Sequence, residues 1–415
     1  MNKNKRGLFL WRVLPILVIL FAATVLVTWQ ITYNHTRRTL EEKYTEMLQS
    51  TNQSSDLSRL LYNVDNIVRG KYIGEIDGEK LTDYTISGYI YGLGDKYASY
   101  MSADEYSEYM LAKDGLRMGI GINVVYDGDE NGLYILNVYD ETPAAEAGLV
   151  PGEVITRVEG SYVSDIGYYK AIELIRDGDE GSSVSITVRA SSGAERTVYV
   201  TRKIIEATTV TSRKISGDTG VIRISEFTKA TADEFKNAIQ SLTVNGVDRF
   251  VFDVRNNPGG DLQGISNTLD FLLPEGNIII INQKNGTQST IVSDTSEFSA
   301  PMVVLANENT ASAAELFTAA LRDYGKAKIV GKTTYGKGVM QEVISLPNGG
   351  AASISVSTYL PPSGVSYDGI GIIPDYDVSL PPETNGRFYR MTDEEDTQLQ
   401  KALEIIADME LDMIQ

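Results

Sequence analysis

Ser312, Lys337 and Gln341 are the residues of this chain whose types and spacing could do nucleophilic chemistry. Ser312 stands in TASAAELF, residues 310–317, just after the apolar run PMVVLAN, so it reads as lying at a strand-to-helix junction. A serine there is a nucleophile or a helix cap, and S-x-x-E from Ser312 to Glu315 is itself a capping-box pattern. A nucleophile needs a base. The single histidine, His35, sits beside an apolar N-terminal run, and the chain has no cysteine. Neither a G-x-S-x-G elbow nor an S-x-x-K motif occurs. Lysine remains, with a reference pKa of about 10.4 that is useless at neutral pH unless burial lowers it, to roughly 7–8 in the best cases. Lys337 lies between Gly336 and Gly338, with Tyr335 before and Val339 and Met340 after, a locally uncharged setting suited to desolvation. If 337–341 is a strand, alternation puts Lys337, Val339 and Gln341 on one face, where Gln341 could hold the amine without adding a charge. Lys326, Lys328 and Lys332 lie in a charged stretch and read as solvated.

Two motifs point elsewhere and fail. GKTTYGKG, residues 331–338, places Gly331, Gly336 and Lys337 as in a nucleotide P-loop, but Gly338 stands where a Ser or Thr must hold magnesium. The following VMQEVISL alternates like a strand, whereas a P-loop opens a helix. DGDENG sets Asp127, Asp129, Asn131 and Gly132 like the start of a calcium loop, yet Val138 occupies the position of the bidentate glutamate. Its flanks alternate, so we read a hairpin turn. With one histidine and no cysteine, neither a metal nor another cofactor is expected.

The elements that must position these residues belong to a large chain. It has 415 residues, 42% of them hydrophobic and 22% charged, enough for two or three domains. The net charge of −19 argues against a nucleic-acid partner. Val13 to Trp29 is uncharged and follows Lys3, Lys5, Arg6 and Arg12. That pattern predicts an uncleaved transmembrane anchor over 13–33, with residues 1–12 cytoplasmic and the remainder outside the cytoplasm. Residues 34–114 read as helical. Short alternating strands follow from 115 to 203, and strand–helix alternation from 204 to 381 predicts an α/β layer. An acidic amphipathic helix closes the chain within 382–415 and reads as a packing or subunit-contact element.

Within 115–203, ETPAAEAGLVPGEVITRVEG resembles the TPAxxAGL and GD/GE-x-I-x-x-V-x-G segments of bacterial PDZ domains. The resemblance implies that an extended peptide pairs with a sheet edge and that its terminal carboxylate sits in a nest of backbone amides. Gly119, Ile120, Gly121 and Ile122 would form that nest. Further on, TASAAELFTAAL, GKTTYGKGVMQ, DVRNNPGGDL and GLGDKYASYM together resemble the C-terminal processing (tail-specific) peptidases, serine–lysine proteases of the S41 type. The likeness implies Ser312 as nucleophile, Lys337 as base and Gln341 as its orienting partner. It also implies an oxyanion hole from the Ala313 N–H and that of Gly259 or Gly260, and a link between the PDZ domain and the catalytic site through Arg176. The fold expected is α+β and multidomain: a β-rich PDZ domain with two helices on an α/β protease core, with helical N- and C-terminal segments and one transmembrane helix. The function expected is membrane-anchored endoproteolysis of proteins or peptides with free C-terminal tails, in a homodimer. The competing reading is an inactive PDZ adaptor that binds tails without cutting them.

Overall fold

The computed structural model describes Gln30 and residues 52–413 apart from 207, 385 and 386. Except for Gln30, the expected anchor at 13–33 lies outside the described residues, among which no helix is long and apolar enough to cross a membrane. The chain divides into two units, Met1–Thr82 and Asp83–Gln415. In the first, helix α1 (Asn52–Lys71) carries Leu57, Leu60, Leu61, Val64 and Ile67 at helical spacing, all exposed. Helix α2 (Gly78–Tyr91) crosses into the second unit, which continues with β1 (Ser99–Met101) and α3 (Ala103–Lys113).

A small β-rich region follows: β2 (Leu116–Gly119), β3 (Ile122–Asp127), β4 (Gly132–Val138), the helical turn α4 (Pro143–Glu146), β5 (Val154–Val158) and β6 (Ser161–Tyr162). Helix α5 (Val163–Arg176), β7 (Ser183–Arg189), β8 (Glu195–Thr201) and β9 (Lys203–Glu206) complete it. Its main sheet runs β3-β4-β5-β7-β8, while β2 and β9 pair separately. Alternation buries Leu133 and Ile135 of β4 with Val184, Ile186 and Val188 of β7, one face per strand, as a half-buried antiparallel sheet requires. Strands β3 and β4 form the hairpin expected around DGDENG, and Asp127 closes the turn by accepting from the N–H groups of Asp129 (3.0 Å) and Glu130 (3.1 Å). Strands β3 and β8 are the sheet's two edges, and among the described residues β3 pairs only with β4.

The alternating half comprises β10 (Val210–Ser216), β11 (Thr219–Ile224), α6 (Thr231–Val244), β12 (Arg249–Asp253), α7 (Leu262–Leu272), β13 (Gly276–Gln283) and β14 (Gln288–Ser293). Then come β15 (Met302–Ala306), α8 (Ala313–Asp323), β16 (Ala327–Gly331), β17 (Val339–Ser345), β18 (Ala351–Leu360), β19 (Tyr376–Asp377) and α9 (Thr397–Met413). One sheet has the order β10-β11-β12-β15-β16-β19, parallel except at β10. Both of its faces are covered, so its central strands are apolar throughout. Phe250, Phe252, Met302 and Val304 meet α6, α7 and α8, whereas Val251, Val303 and Leu305 meet Leu399, Ala402, Ile405 and Ile406 of α9. The acidic C-terminal helix is thus part of the core. In the other sheet, the long β18 pairs with β17 on one side and with β1 and β13 on the other.

Candidate active site

Ser312 ends the connection from β15 to α8, and its backbone has φ 56° and ψ −120°. For a residue with a Cβ this region costs about 1–3 kcal/mol and persists only where surrounding contacts enforce it. The contacts form a capping box whose hydroxyl half is too loose to be a hydrogen bond. Ser312 N–H donates to Glu315 Oε2 at 2.9 Å, while Glu315 N–H donates to the Ser312 carbonyl at 2.9 Å rather than to the hydroxyl. The box that starts α3 is complete, with Glu105 N–H donating to Ser102 Oγ at 3.4 Å. The Ser312 hydroxyl makes no hydrogen bond within the cap, and it accepts from the Tyr359 hydroxyl at 3.2 Å.

Glu315 is fully buried and joins two distant segments. Besides Ser312, it accepts from the Thr334 hydroxyl, from Gly336 N–H at 2.6 Å and from Lys337 N–H at 2.8 Å. One carboxylate therefore fixes the backbones of both Ser312 and Lys337. A second loop clasps the lysine segment from outside. Gly338 N–H donates to Asp368 Oδ1 at 2.9 Å, and a Cβ on Gly338 would stand 2.8 Å from that of Asp368. Gly338 is there for close approach.

The Lys337 ammonium lies over the Tyr97 ring, 4.9 Å from its centroid, and makes no hydrogen bond with Ser312. Burial holds its pKa below the ordinary lysine value, while Asp95 and Glu315 pull toward the protonated form. Tyr97 belongs to the turn after α2, where Asp95 accepts from Tyr97 N–H (3.0 Å) and Ser355 N–H (3.1 Å). Gln341 departs from the expected alternation. The strand begins at Val339, and a register shift between Met340 and Gln341 breaks the period of two. Its amide donates to Ser355 Oγ (3.3 Å) and the Val339 carbonyl (3.4 Å), not to Lys337.

The glycine loop after β12 packs directly on the serine. A Cβ on Gly259 would stand 2.7 Å from Ser312 Cβ and 2.9 Å from Ala313 N. The two glycines differ in use: Gly259 N–H donates to Asn257 Oδ1 at 2.8 Å. Among the described residues, the N–H groups of Gly260 and Ala313 meet no protein acceptor. In the β-rich domain, Gly119, Ile120, Gly121 and Ile122 lead into the free edge of β3. The Ile120 and Gly121 carbonyls accept from Ala144 N–H (2.9 Å) and Tyr139 N–H (3.0 Å). Gly121 has φ +90°, and a Cβ there would strike Thr142 at 2.2 Å. Arg176 ends α5 beside a cavity of about 300 Å³ that Tyr100, Tyr109, Arg117 and Met118 also line, and Ser312 and Lys337 are not in that lining. Tyr359 carries no local sequence signal, and GLGDKYASYM, which holds Asp95 and Tyr97, gives no hint of their place here; only the pairing of β18 with β17 and the docking of the 95–97 turn bring them to the site. Glu315 was visible in S-x-x-E, but its grip on the lysine segment was not.

Comparison with known proteins follows the same division. The profile of Peptidase family S41 matches residues 218–378, and that of the PDZ domain matches 134–190. A carboxy-terminal-processing protease of Bartonella bacilliformis is 31% identical over 339 residues, covering 78% of this chain and 76% of that one. A probable CtpA-like serine protease of Staphylococcus aureus is 30% identical over 387 residues, covering 92% and 75%. Among solved structures, a putative S41 protease from Bacteroides fragilis matches in fold at TM-score 0.56, with 17% identity, over 82% of this chain and 93% of that one. The chain belongs to the carboxy-terminal-processing proteases of peptidase family S41, serine proteases that carry a PDZ domain.

Proposed function

We propose that Ser312 and Lys337 form the dyad of an endopeptidase that cuts proteins presenting free C-terminal tails. The observation that carries this is the Glu315 carboxylate, which holds the Ser312 and Lys337 amides at 2.9 and 2.8 Å and so keeps the two segments together. Lys337, its pKa lowered by burial, leaves the Tyr97 ring and in its neutral form takes the Ser312 proton as Oγ attacks the scissile carbonyl. The carbonyl's π electrons move onto oxygen, and Ala313 N–H, at the positive end of α8, receives that charge together with Gly260 N–H. We choose Gly260 over Gly259 because the Gly259 N–H is already engaged by Asn257. Lys337 then protonates the leaving amine, and water, activated by the same lysine, resolves the acyl-enzyme. Gln341 would steady the lysine once it has turned toward Ser312.

In this reading the PDZ domain spans 115–203 and the protease core 204–381, after a helical region at 34–114 and before the tail at 382–415. Residues 119–122 bind the substrate carboxylate, and Arg176 passes its presence on. Residues 13–33 anchor the protein with its catalytic part outside the cytoplasm, which alkaline-washed membrane fractions would test. The exposed apolar stripe of α1 supports a homodimer, which light scattering in detergent would test. Ser312→Ala and Lys337→Ala should each abolish cleavage of an unstructured peptide while the circular dichroism spectrum is unchanged. Full activity in either variant would refute the dyad. An adaptor that binds tails without cutting them would leave a disordered protein intact by mass spectrometry.

A further inference from the structure

Tyr359 is almost completely buried, yet its hydroxyl sits at the nucleophile rather than in the apolar core around its ring. It donates toward two acceptors, the Lys337 carbonyl at 2.7 Å and Ser312 Oγ at 3.2 Å. One phenolic proton is thus shared between the backbone of the lysine and the oxygen of the serine. The strand that carries Tyr359 is fixed to the same loop, since Tyr359 N–H donates to the Gly338 carbonyl at 3.1 Å. The position of the hydroxyl is set from both sides.

Resting on the dyad reading above, we propose that Tyr359 is a further catalytic residue, the hydrogen-bond donor that orients and stabilises the Ser312 oxygen as it loses its proton. An oxygen that accepts from Tyr359 keeps its own hydrogen free to point at another base. As that hydrogen passes to Lys337 Nζ and the new bond from Oγ to the scissile carbon forms, the negative charge growing on Oγ draws the shared phenolic proton away from the Lys337 carbonyl. Tyr359 keeps its proton throughout. Burial raises its pKa far above that of a free phenol, so it serves as a neutral donor and never as the base.

The neighbouring Tyr367 supplies the control. Its ring lies edge-on to that of Tyr359, with centroids 6.1 Å apart, and its buried hydroxyl makes no hydrogen bond with Ser312 or Lys337. Tyr359→Phe and Tyr367→Phe each remove one buried hydroxyl from the same cluster, but only the first reaches Ser312. The rate at which a fluorophosphonate modifies Ser312, followed by intact mass, reads the nucleophile directly, and peptide cleavage runs beside it. Tyr359→Phe should slow modification and kcat about 10- to 100-fold with KM unchanged, the range expected for losing a hydrogen bond to a developing charge. Tyr367→Phe should leave both at the wild-type value. Site-specific 3-fluorotyrosine at 359, which keeps the hydroxyl and the shape of the ring, should return modification to within about threefold of wild type. Equal rates in Tyr359→Phe and wild type would overturn the proposal. So would equal losses in the two phenylalanine variants, or a fluorotyrosine enzyme as slow as Tyr359→Phe. Failure of the wild type to be modified at Ser312 would strike the dyad itself, a separable result.

Discussion

At the scale of single residues, the site sets a half-buried lysine against the carboxylates that would keep it charged. Burial lowers the Lys337 pKa, and Asp95 opposes it as the first of two nearby acids. Activity that requires the neutral amine should rise with pH through a midpoint below that of an ordinary lysine. Asp95→Asn removes the charge that favours the proton and keeps one of the two oxygens that accept separately from the Tyr97 and Ser355 amides. The midpoint of kcat/KM against pH should therefore move to lower pH in Asp95→Asn, giving a higher rate on the acidic side. An unmoved or raised midpoint would show that Asp95 does not act on the lysine's charge. Ser312 and Lys337 could be singled out in the sequence because the search for a base leads from one to the other. Asp95 and Tyr97 lie more than 200 residues away in the chain and could not be found that way. The alternation expected for Lys337 and Gln341 failed because it assumed an unbroken strand, and the register shift before Gln341 is set by the partner strand β18.

At the scale of elements, the glycine loop is held by a joint between the end of β12 and the start of α9. The Arg255 guanidinium is buried between Asp253 and Asp396, donating to Asp253 at 2.9 and 2.8 Å and to Asp396 at 2.9 and 2.8 Å. Asp396 also caps α9, accepting from Leu399 N–H at 3.0 Å. Removing one partner of a buried, hydrogen-bonded ion pair leaves the other charge uncompensated. Asp396→Ala should cost about 3–5 kcal/mol on that basis, measured by urea unfolding near neutral pH. A loss under about 1 kcal/mol would mean that Asp253 alone satisfies the arginine. Burial by itself would raise the Asp253 pKa, but Arg255 and Arg223 hold it below the ordinary carboxylate range. A depressed folded-state pKa gives stability that is present above the unfolded value of about 3.9 and lost as pH falls through the folded one. The Asp253 contribution should then be constant from neutral pH down to about 4 and fade only below it. The strands and helices of this half were legible because parallel strands buried on both faces read as apolar runs, as in RFVFD and MVVLA. The joint was not, since a charged triplet drawn from residues 253, 255 and 396 has no periodicity to reveal it.

At the scale of the whole catalytic unit, the free edge of β3 faces a cavity of about 890 Å³ that it shares with the protease half. Val124, Tyr126 and Tyr168 line one side, and Arg213, Arg223 and Tyr389 line the other. Ion pairs from Arg390 to Asp127 and from Arg117 to Glu226 tie the two halves around it. A tail added as a strand to β3 would lie inside this cavity, with its carboxylate at residues 119–122. Sequence patterns marked the PDZ domain, but the wall opposite β3 comes from segments far along the chain that no local pattern connects to it. Recognition through the nest proposed at residues 119–122 would demand a free carboxylate at the substrate's end. A peptide with a free C-terminus should be cleaved with a KM roughly tenfold lower than its amidated form, about the value of one charge-assisted hydrogen bond. Gly121→Val should erase that difference, because valine is strained at φ +90° and its Cβ would meet Thr142 at 2.2 Å. The amidated peptide should be cut by Gly121→Val at the wild-type rate, since Ser312 and Lys337 are untouched. If the variant still prefers the free carboxylate by the full factor, the tail is being read somewhere other than the 119–122 turn.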